Sequence, residues 1–166
     1  MEERKIISLN INGLNSAIKR RKIFHRLEKL QYDIICLQEV HIKKQHEHLL
    51  KRPKLGKLFV SLTQFKKRGV ALYIRDNISA KQIYTDDDGR ILMVEIMDNN
   101  NKILLIVIYA PNYNQEIFYR KLHAQVIKLD YTNILMMGDW NGIVDGKLDY
   151  KTQTIIKKTK KTLPKS

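Results

Sequence analysis

The run KIISLNINGLNSAIKRRKIFHRLEKLQYDIICLQEV, residues 5–40, decides how this chain folds. It opens on a short apolar stretch, Lys5 to Asn10, breaks at Asn12-Gly13, and resumes at Ser16 with a different period. Ile23, Phe24, Leu27 and Leu30 recur at helical spacing, while Lys19, Arg20, Arg21, Lys22 and Arg26 fall mostly on the opposite side. An amphipathic helix capped by Ser16 is expected. Asp33 to Gln38 then reads as a second strand, apolar enough to be buried on both faces. Strand, helix and buried strand in succession is the pattern of a layered α/β fold.

The same alternation continues outward. His41 to Lys54 is polar, with a short helix expected before Pro53. Leu58 to Leu62 and Gly69 to Ile74 read as strands separated by the basic turn Lys66-Lys67-Arg68. Ile91 to Met97 and Ile103 to Tyr109 flank Asp98-Asn99-Asn100-Asn101, a turn of the kind that closes an antiparallel hairpin. Glu116 to Leu129 carries Ile117, Phe118, Leu122, Val126 and Leu129 on one helical face, and Asn133 to Met137 is one more core strand. No internal repeat is visible. The expectation is one domain over residues 1–150, a sheet-rich core with helices outside, followed by a basic tail over 151–166 that is expected to be disordered.

Composition narrows the partner. The chain of 166 residues holds 31 Lys and Arg against 17 Asp and Glu, a formal net charge of +14. Six lysines of that excess lie in the acid-free tail, leaving +8 on residues 1–150. A polyanion is the natural partner, because each phosphate neutralised releases condensed counterions. The single cysteine, Cys36, excludes a disulfide framework or a multi-Cys zinc site, and its apolar setting marks it as a buried small hydrophobe. Neither a signal peptide nor a membrane span is expected, which implies an intracellular setting.

Four apolar runs end in polar residues of a restricted kind: Asn10 with Asn12, Gln38 with Glu39, Tyr109 with Asn112, and Asp139 with Asn141. Strand ends in layered α/β folds are where rigid backbone aims side chains into a common crevice. Singly, Asn12-Gly13, Pro111-Asn112 and Asn141-Gly142 are ordinary turn chemistry. Together, two carboxylates among amides suit a hard cation, with oxygen ligands for Mg²⁺ and a base for an attacking water.

The motifs Ser8-Leu9-Asn10-Ile11-Asn12-Gly13-Leu14-Asn15, Leu37-Gln38-Glu39-Val40-His41, Ile108-Tyr109-Ala110-Pro111-Asn112 and Gly138-Asp139-Trp140-Asn141, in that order, resemble the endonuclease domain of LINE-type non-LTR retrotransposons. That domain belongs to the endonuclease/exonuclease/phosphatase superfamily, with the abasic-site repair endonucleases. Ser16-Ala17-Ile18-Lys19-Arg20, directly after the first motif, favours the retrotransposon branch. The resemblance runs from about residue 5 to residue 150 and implies a four-layered α/β sandwich. It implies a Mg²⁺-dependent nuclease that nicks DNA, with Mn²⁺ as the alternative ion. Glu39 would bind the metal with Asn10 beside it, Asp139 would activate the water, and Asn141 would hold the scissile phosphate or that water. Tyr109 and Asn112 would contribute to the phosphate pocket, while Asn12, Arg20 and Arg21 would meet the phosphate backbone. It further implies a monomer, a nuclear location and a reverse transcriptase in the parent polyprotein.

Similar domains finish with further strands, another acidic residue and a Ser-Asp-His triplet. The last histidine here is His123, upstream of Asp139, so the C-terminal strands and the final histidine are expected to be missing and activity impaired. A catalytically inactive nucleic-acid-binding fragment and a phosphoesterase acting on small esters are the alternative readings. The cluster His41, His46 and His48 lacks Cys and reads as a solvated segment rather than a zinc site. Asp86-Asp87-Asp88-Gly89 lacks the distal Glu of a calcium loop and reads as a surface turn.

Overall fold

The computed structural model describes residues 3–140; Asn141 and the basic tail lie outside them. Two four-stranded sheets stack face to face. In the first, β1 (Ile6–Asn10) runs parallel to β2 (Ile34–Gln38), and the antiparallel β4 (Val70–Ile74) and β3 (Lys57–Ser61) complete the order β1-β2-β4-β3. In the second, β5 (Ser79–Thr85), β6 (Ile91–Asp98) and β7 (Asn101–Tyr109) are antiparallel neighbours, and β8 (Ile134–Asp139) lies parallel to β7. Each parallel pair needs a crossover. α1 (Ala17–Leu30) supplies it between β1 and β2, and α2 (Gln115–Leu129) between β7 and β8.

Period-2 alternation divides the apolar side chains among three cores. Ile34, Cys36, Val70 and Leu72 meet Leu92, Val94, Leu105 and Val107 between the sheets. Ile35, Leu37 and Tyr73 face the other way and pack on Phe24 and Leu27 of α1. Met93, Ile106 and Ile108 pack on Phe118, Leu122 and Val126 of α2. The layers are therefore helix, sheet, sheet, helix, the expected four-layered α/β sandwich. Burying each such side chain stabilises by about 1.5–3 kcal/mol, and all five residues of β2 and of β4 are buried. Cys36 sits in the middle core, where burial pushes its thiol up to about 12.

Ser16 caps α1 through its hydroxyl, which accepts from the Lys19 N–H at 3.3 Å, and Gln31 ends the helix in the left-handed region. Leu30 and Ile117, expected on the apolar faces, are instead 39% and 68% exposed; α1 buries Phe24 and Leu27, and α2 a single row of Phe118, Leu122 and Val126. The hairpin turn is tight. Asn99 and Asn100 both take positive φ, 49° and 65°, and Asp98 pairs with Asn101, the two-residue turn whose twist matches its strands. The stretch before Pro53 forms a 3-10 segment, Lys44–Leu50, followed by another at Pro53–Leu55.

Two features depart from the sequence expectation. β5 has no apolar run; it pairs on one side only and its register slips between Gln82 and Tyr84, so few of its positions need be hydrophobic. The acidic turn is also more than a surface feature. Asp86 is buried, and its Oδ1 accepts from the Ser61 hydroxyl and from the Arg90 and Ile91 N–H groups at 2.9–3.0 Å, whereas Asp87 and Asp88 are exposed.

Candidate active site

The registers bring the polar strand ends to one end of the sandwich. Asn10 lies opposite Gln38 across β1 and β2, and Tyr109 opposite Asp139 across β7 and β8. β1 also touches β8 across the sheet interface, so residues 129 positions apart meet: the Asn10 Nδ2 donates to Asp139 Oδ2 at 2.8 Å. The Tyr109 hydroxyl donates to Glu39 Oε1, linking the sheets a second time. Of the residues singled out in sequence, these four form one cluster.

Local backbone explains why each side chain points inward. Glu39 directly follows β2 with a positive φ of 55°, which turns the chain out of the strand. Gly138 has φ 136°, and a Cβ there would lie 1.9 Å from the Ile108 carbonyl oxygen; only glycine lets β8 approach β7 this closely just before Asp139. Asn12 adopts φ 50°, and its N–H donates to the Asn10 Oδ1 at 3.1 Å, an Asx turn that locks the Asn10 amide. Gln38, by contrast, is buried and donates to the Ser8 hydroxyl at 2.9 Å and the Cys36 sulfur at 3.0 Å, so it braces the core.

The electrostatics keep the phenol neutral. Burial, then the hydrogen bond and charge of Glu39, push the Tyr109 hydroxyl up to about 12, while Arg90 pulls the other way. Arg90 was not singled out in the sequence. Its guanidinium stacks 5.1 Å from the centre of the Tyr109 ring and donates to the Tyr109 carbonyl at 3.1 Å; burial and nearby Arg68 lower its own pKa. The signal for it was present in the hairpin. Counting outward from Asn99-Asn100 places Arg90 opposite Tyr109, as the Tyr109 N–H to Arg90 carbonyl bond at 2.8 Å records. Beyond Asp139, the Trp140 ring stacks on Tyr119 of α2 with 6.3 Å between centres.

The remaining candidates lie outside this hydrogen-bonded cluster. Asn12 and Asn112 are exposed on the loops after β1 and β7. Arg21 is exposed on α1, whereas Arg20 is half-buried and gives one guanidinium nitrogen to the Leu14 and Asn15 carbonyls at 2.8 and 3.3 Å. Asn141 lies outside the described residues. Hard oxygen donors are what the cluster offers a cation: Glu39 makes no salt bridge among the described residues, and its second carboxylate oxygen and the Asn10 side-chain Oδ1 are donors of the kind divalent ions take. Among the described residues no group of three His, Cys, Asp or Glu side chains could hold a metal.

Residues 7–148 match the endonuclease/exonuclease/phosphatase family. An exodeoxyribonuclease of Bacillus subtilis (strain 168) is 24% identical over 89% of this chain and 62% of its own length. Among solved structures, a humanized TDP2 of D. rerio superposes with a TM-score of 0.61 at 19% identity, covering 85% of this chain and 63% of that one. The endonuclease domain of TRAS1, a telomere-specific non-LTR retrotransposon, gives 0.61 at 17% identity, with 85% and 62% covered. A D. rerio TDP2 in complex with a single-strand DNA product gives 0.60 at 21% identity, with 84% and 61% covered. The chain thus spans about three-fifths of the length of these relatives.

Proposed function

This chain belongs to the endonuclease/exonuclease/phosphatase family, and we propose on that premise that it carries the metal-binding and water-activating part of a DNA-nicking site of the LINE retrotransposon type. One observation carries the reading. Asn10, Tyr109 and Asp139 at the ends of three strands and Glu39 just after a fourth are joined in hydrogen-bonded pairs at one end of the sandwich. The exodeoxyribonuclease relative supports DNA as substrate, and the motif spacing with the TRAS1 likeness supports the retrotransposon branch. An intracellular, nuclear setting belongs to the same reading, as its substrate is DNA.

Nucleases of this family generally use divalent metal ions, and Glu39 with Asn10 would hold one here. A Mg²⁺ bound there supplies charge withdrawal from a non-bridging phosphate oxygen. Asp139, aimed by the Asn10 amide, would orient a water and take its proton as the water attacks phosphorus, while the P–O bond to the leaving sugar oxygen breaks and that oxygen takes a proton from solvent. Tyr109 keeps its proton at neutral pH and serves as a donor to Glu39 or to the phosphate. Arg90 holds the tyrosine ring in place. Asn112 and Arg21, both exposed, would meet flanking phosphates.

A plasmid-nicking assay with Mg²⁺ tests the proposal. The chain should nick DNA, and Glu39→Ala should abolish nicking while leaving salt-dependent DNA binding in place. Equal nicking by both proteins would overturn the catalytic assignment. The +14 charge favours one second reading, binding without cleavage, which predicts steep loss of affinity with salt and no nicking by either protein.

A further inference from the structure

The basic run after the first motif divides in two. Arg21 and Lys22 are exposed, but Lys19 is half-buried and its ammonium is turned onto the loop after β1. The Lys19 Nζ donates to the Ile11 carbonyl at 2.7 Å and to the Asn12 carbonyl at 3.0 Å. Helical side chains lean toward the helix N-terminus, and the Ser16 cap holds the Lys19 N–H, so a lysine one turn into α1 is set to reach back over the loop.

That loop is the one that shapes the cluster. On its other side it continues the sheet ladder, with the Ile11, Gly13 and Leu14 N–H groups donating to the Gln38, Glu39 and Val40 carbonyls at 2.7–2.9 Å. Its N–H groups thus face β2, and the carbonyls of Ile11 and Asn12 are gathered by one ammonium. Held from both sides, Asn12 keeps its left-handed turn, its N–H bonds the Asn10 Oδ1, and the Asn10 Nδ2 is left aimed at Asp139.

We propose that Lys19 is a positioning residue: it clamps the Ile11 and Asn12 carbonyls so that the Asn10 amide is fixed in the orientation that holds Asp139 for reaction. The inference deepens the proposed nuclease site and rests on that reading for its kinetic consequence, though the clamp itself does not. Charge-assisted bonds to two carbonyls are stronger than neutral ones, and a catalytic group displaced by about 1 Å can lose roughly a hundredfold in rate.

The test uses the whole chain with Lys19→Met, which keeps the aliphatic stem, Lys19→Arg, which restores donors, and Lys29→Met as a charge-matched control on the exposed last turn of the same helix. With Mg²⁺ and plasmid DNA, Lys19→Met should lower kcat about tenfold or more with KM within about twofold, Lys19→Arg should recover most of the loss, and Lys29→Met should match the parent. By ¹⁵N NMR without metal or DNA, the Asn10 side-chain amide and Asn12 backbone amide should lose exchange protection in Lys19→Met and regain it in Lys19→Arg. Lys19→Gln replaces the methionine variant if that protein does not fold. Unchanged Asn10 and Asn12 resonances overturn the clamp. A raised KM with unchanged kcat and a salt slope shallower by about one also overturns it, making Lys19 a DNA contact. If the parent chain itself nicks no DNA, the nuclease reading falls, and the NMR comparison alone decides the clamp.

Discussion

The two ends of the sandwich use their charges in opposite ways. At the far end, where β1 and β2 begin, acids are answered by cations. Arg4 pairs with Asp98 of the β6–β7 hairpin at 3.0 Å, tying one sheet to the other, and with Asp33 at 4.0 Å, which Arg75 approaches at 3.8 Å. At the near end the sheets are joined by neutral donors, the Asn10 amide on Asp139 and the Tyr109 phenol on Glu39. Neutral donors orient a carboxylate without cancelling its charge. The far end is therefore a structural clasp, while at the near end Glu39 makes no salt bridge among the described residues and is held by a neutral phenol.

Four experiments would break or sharpen this contrast. The largest effect should come from Gly138→Ala, whose Cβ would meet the Ile108 carbonyl at 1.9 Å in a φ of 136°. A loss of roughly 4 kcal/mol by urea unfolding is expected; a loss under about 1 kcal/mol would mean that β8 need not lie so close. Next, Asp139→Asn and Glu39→Ala should each lower Mg²⁺-dependent nicking by about a hundredfold or more, equivalent to roughly 2.7 kcal/mol in the barrier. Neither should lower the melting temperature, and a marked drop would make them structural like the far-end acids. Third, Asp98→Ala should cost about 1–2 kcal/mol, because it leaves Arg4 without that partner in a part-buried setting, with nicking unchanged. Reduced nicking in a protein still folded would deny that the ends are separate.

The smallest effect concerns the middle core that both ends share. Folding raises the Cys36 pKa from 9.0 to about 12, so the stability this contributes is complete below pH 9 and is lost as the pH climbs toward 12, since only the unfolded thiol ionises in between. A thiol reagent at pH 8 should label Cys36 slowly in the native chain and rapidly in urea. Fast native labelling would show that the sheets part more readily than their packing suggests.

Much of this is legible in the sequence. Helix against strand followed from period, and the antiparallel hairpin followed from its Asp98-Asn99-Asn100-Asn101 turn, while the register that sets Arg90 beside Tyr109 came with the fold. β5 was not legible, because an edge strand with one paired side needs no apolar run. Nor was the burial of Asp86, since an acid at a turn looks solvated until its three donors are placed around it. The basic run Lys19 to Lys22 read as a charged face, whereas two of its members bind loop carbonyls.

By itself the sequence determined the residue types at the four strand ends, and with them the hard-oxygen chemistry, because local period and turn residues mark where each strand stops. Only the tertiary structure decided that those ends meet. The parallel registers that set Asn10 beside Gln38 and Tyr109 beside Asp139 depend on how α1 and α2 pack on the outer faces of the sheets. The contact between Asn10 and Asp139 depends on how the two sheets stack through the core around Cys36 and Leu105. No local pattern encodes a distance across 129 positions of chain; it arises when three separate cores are filled at once.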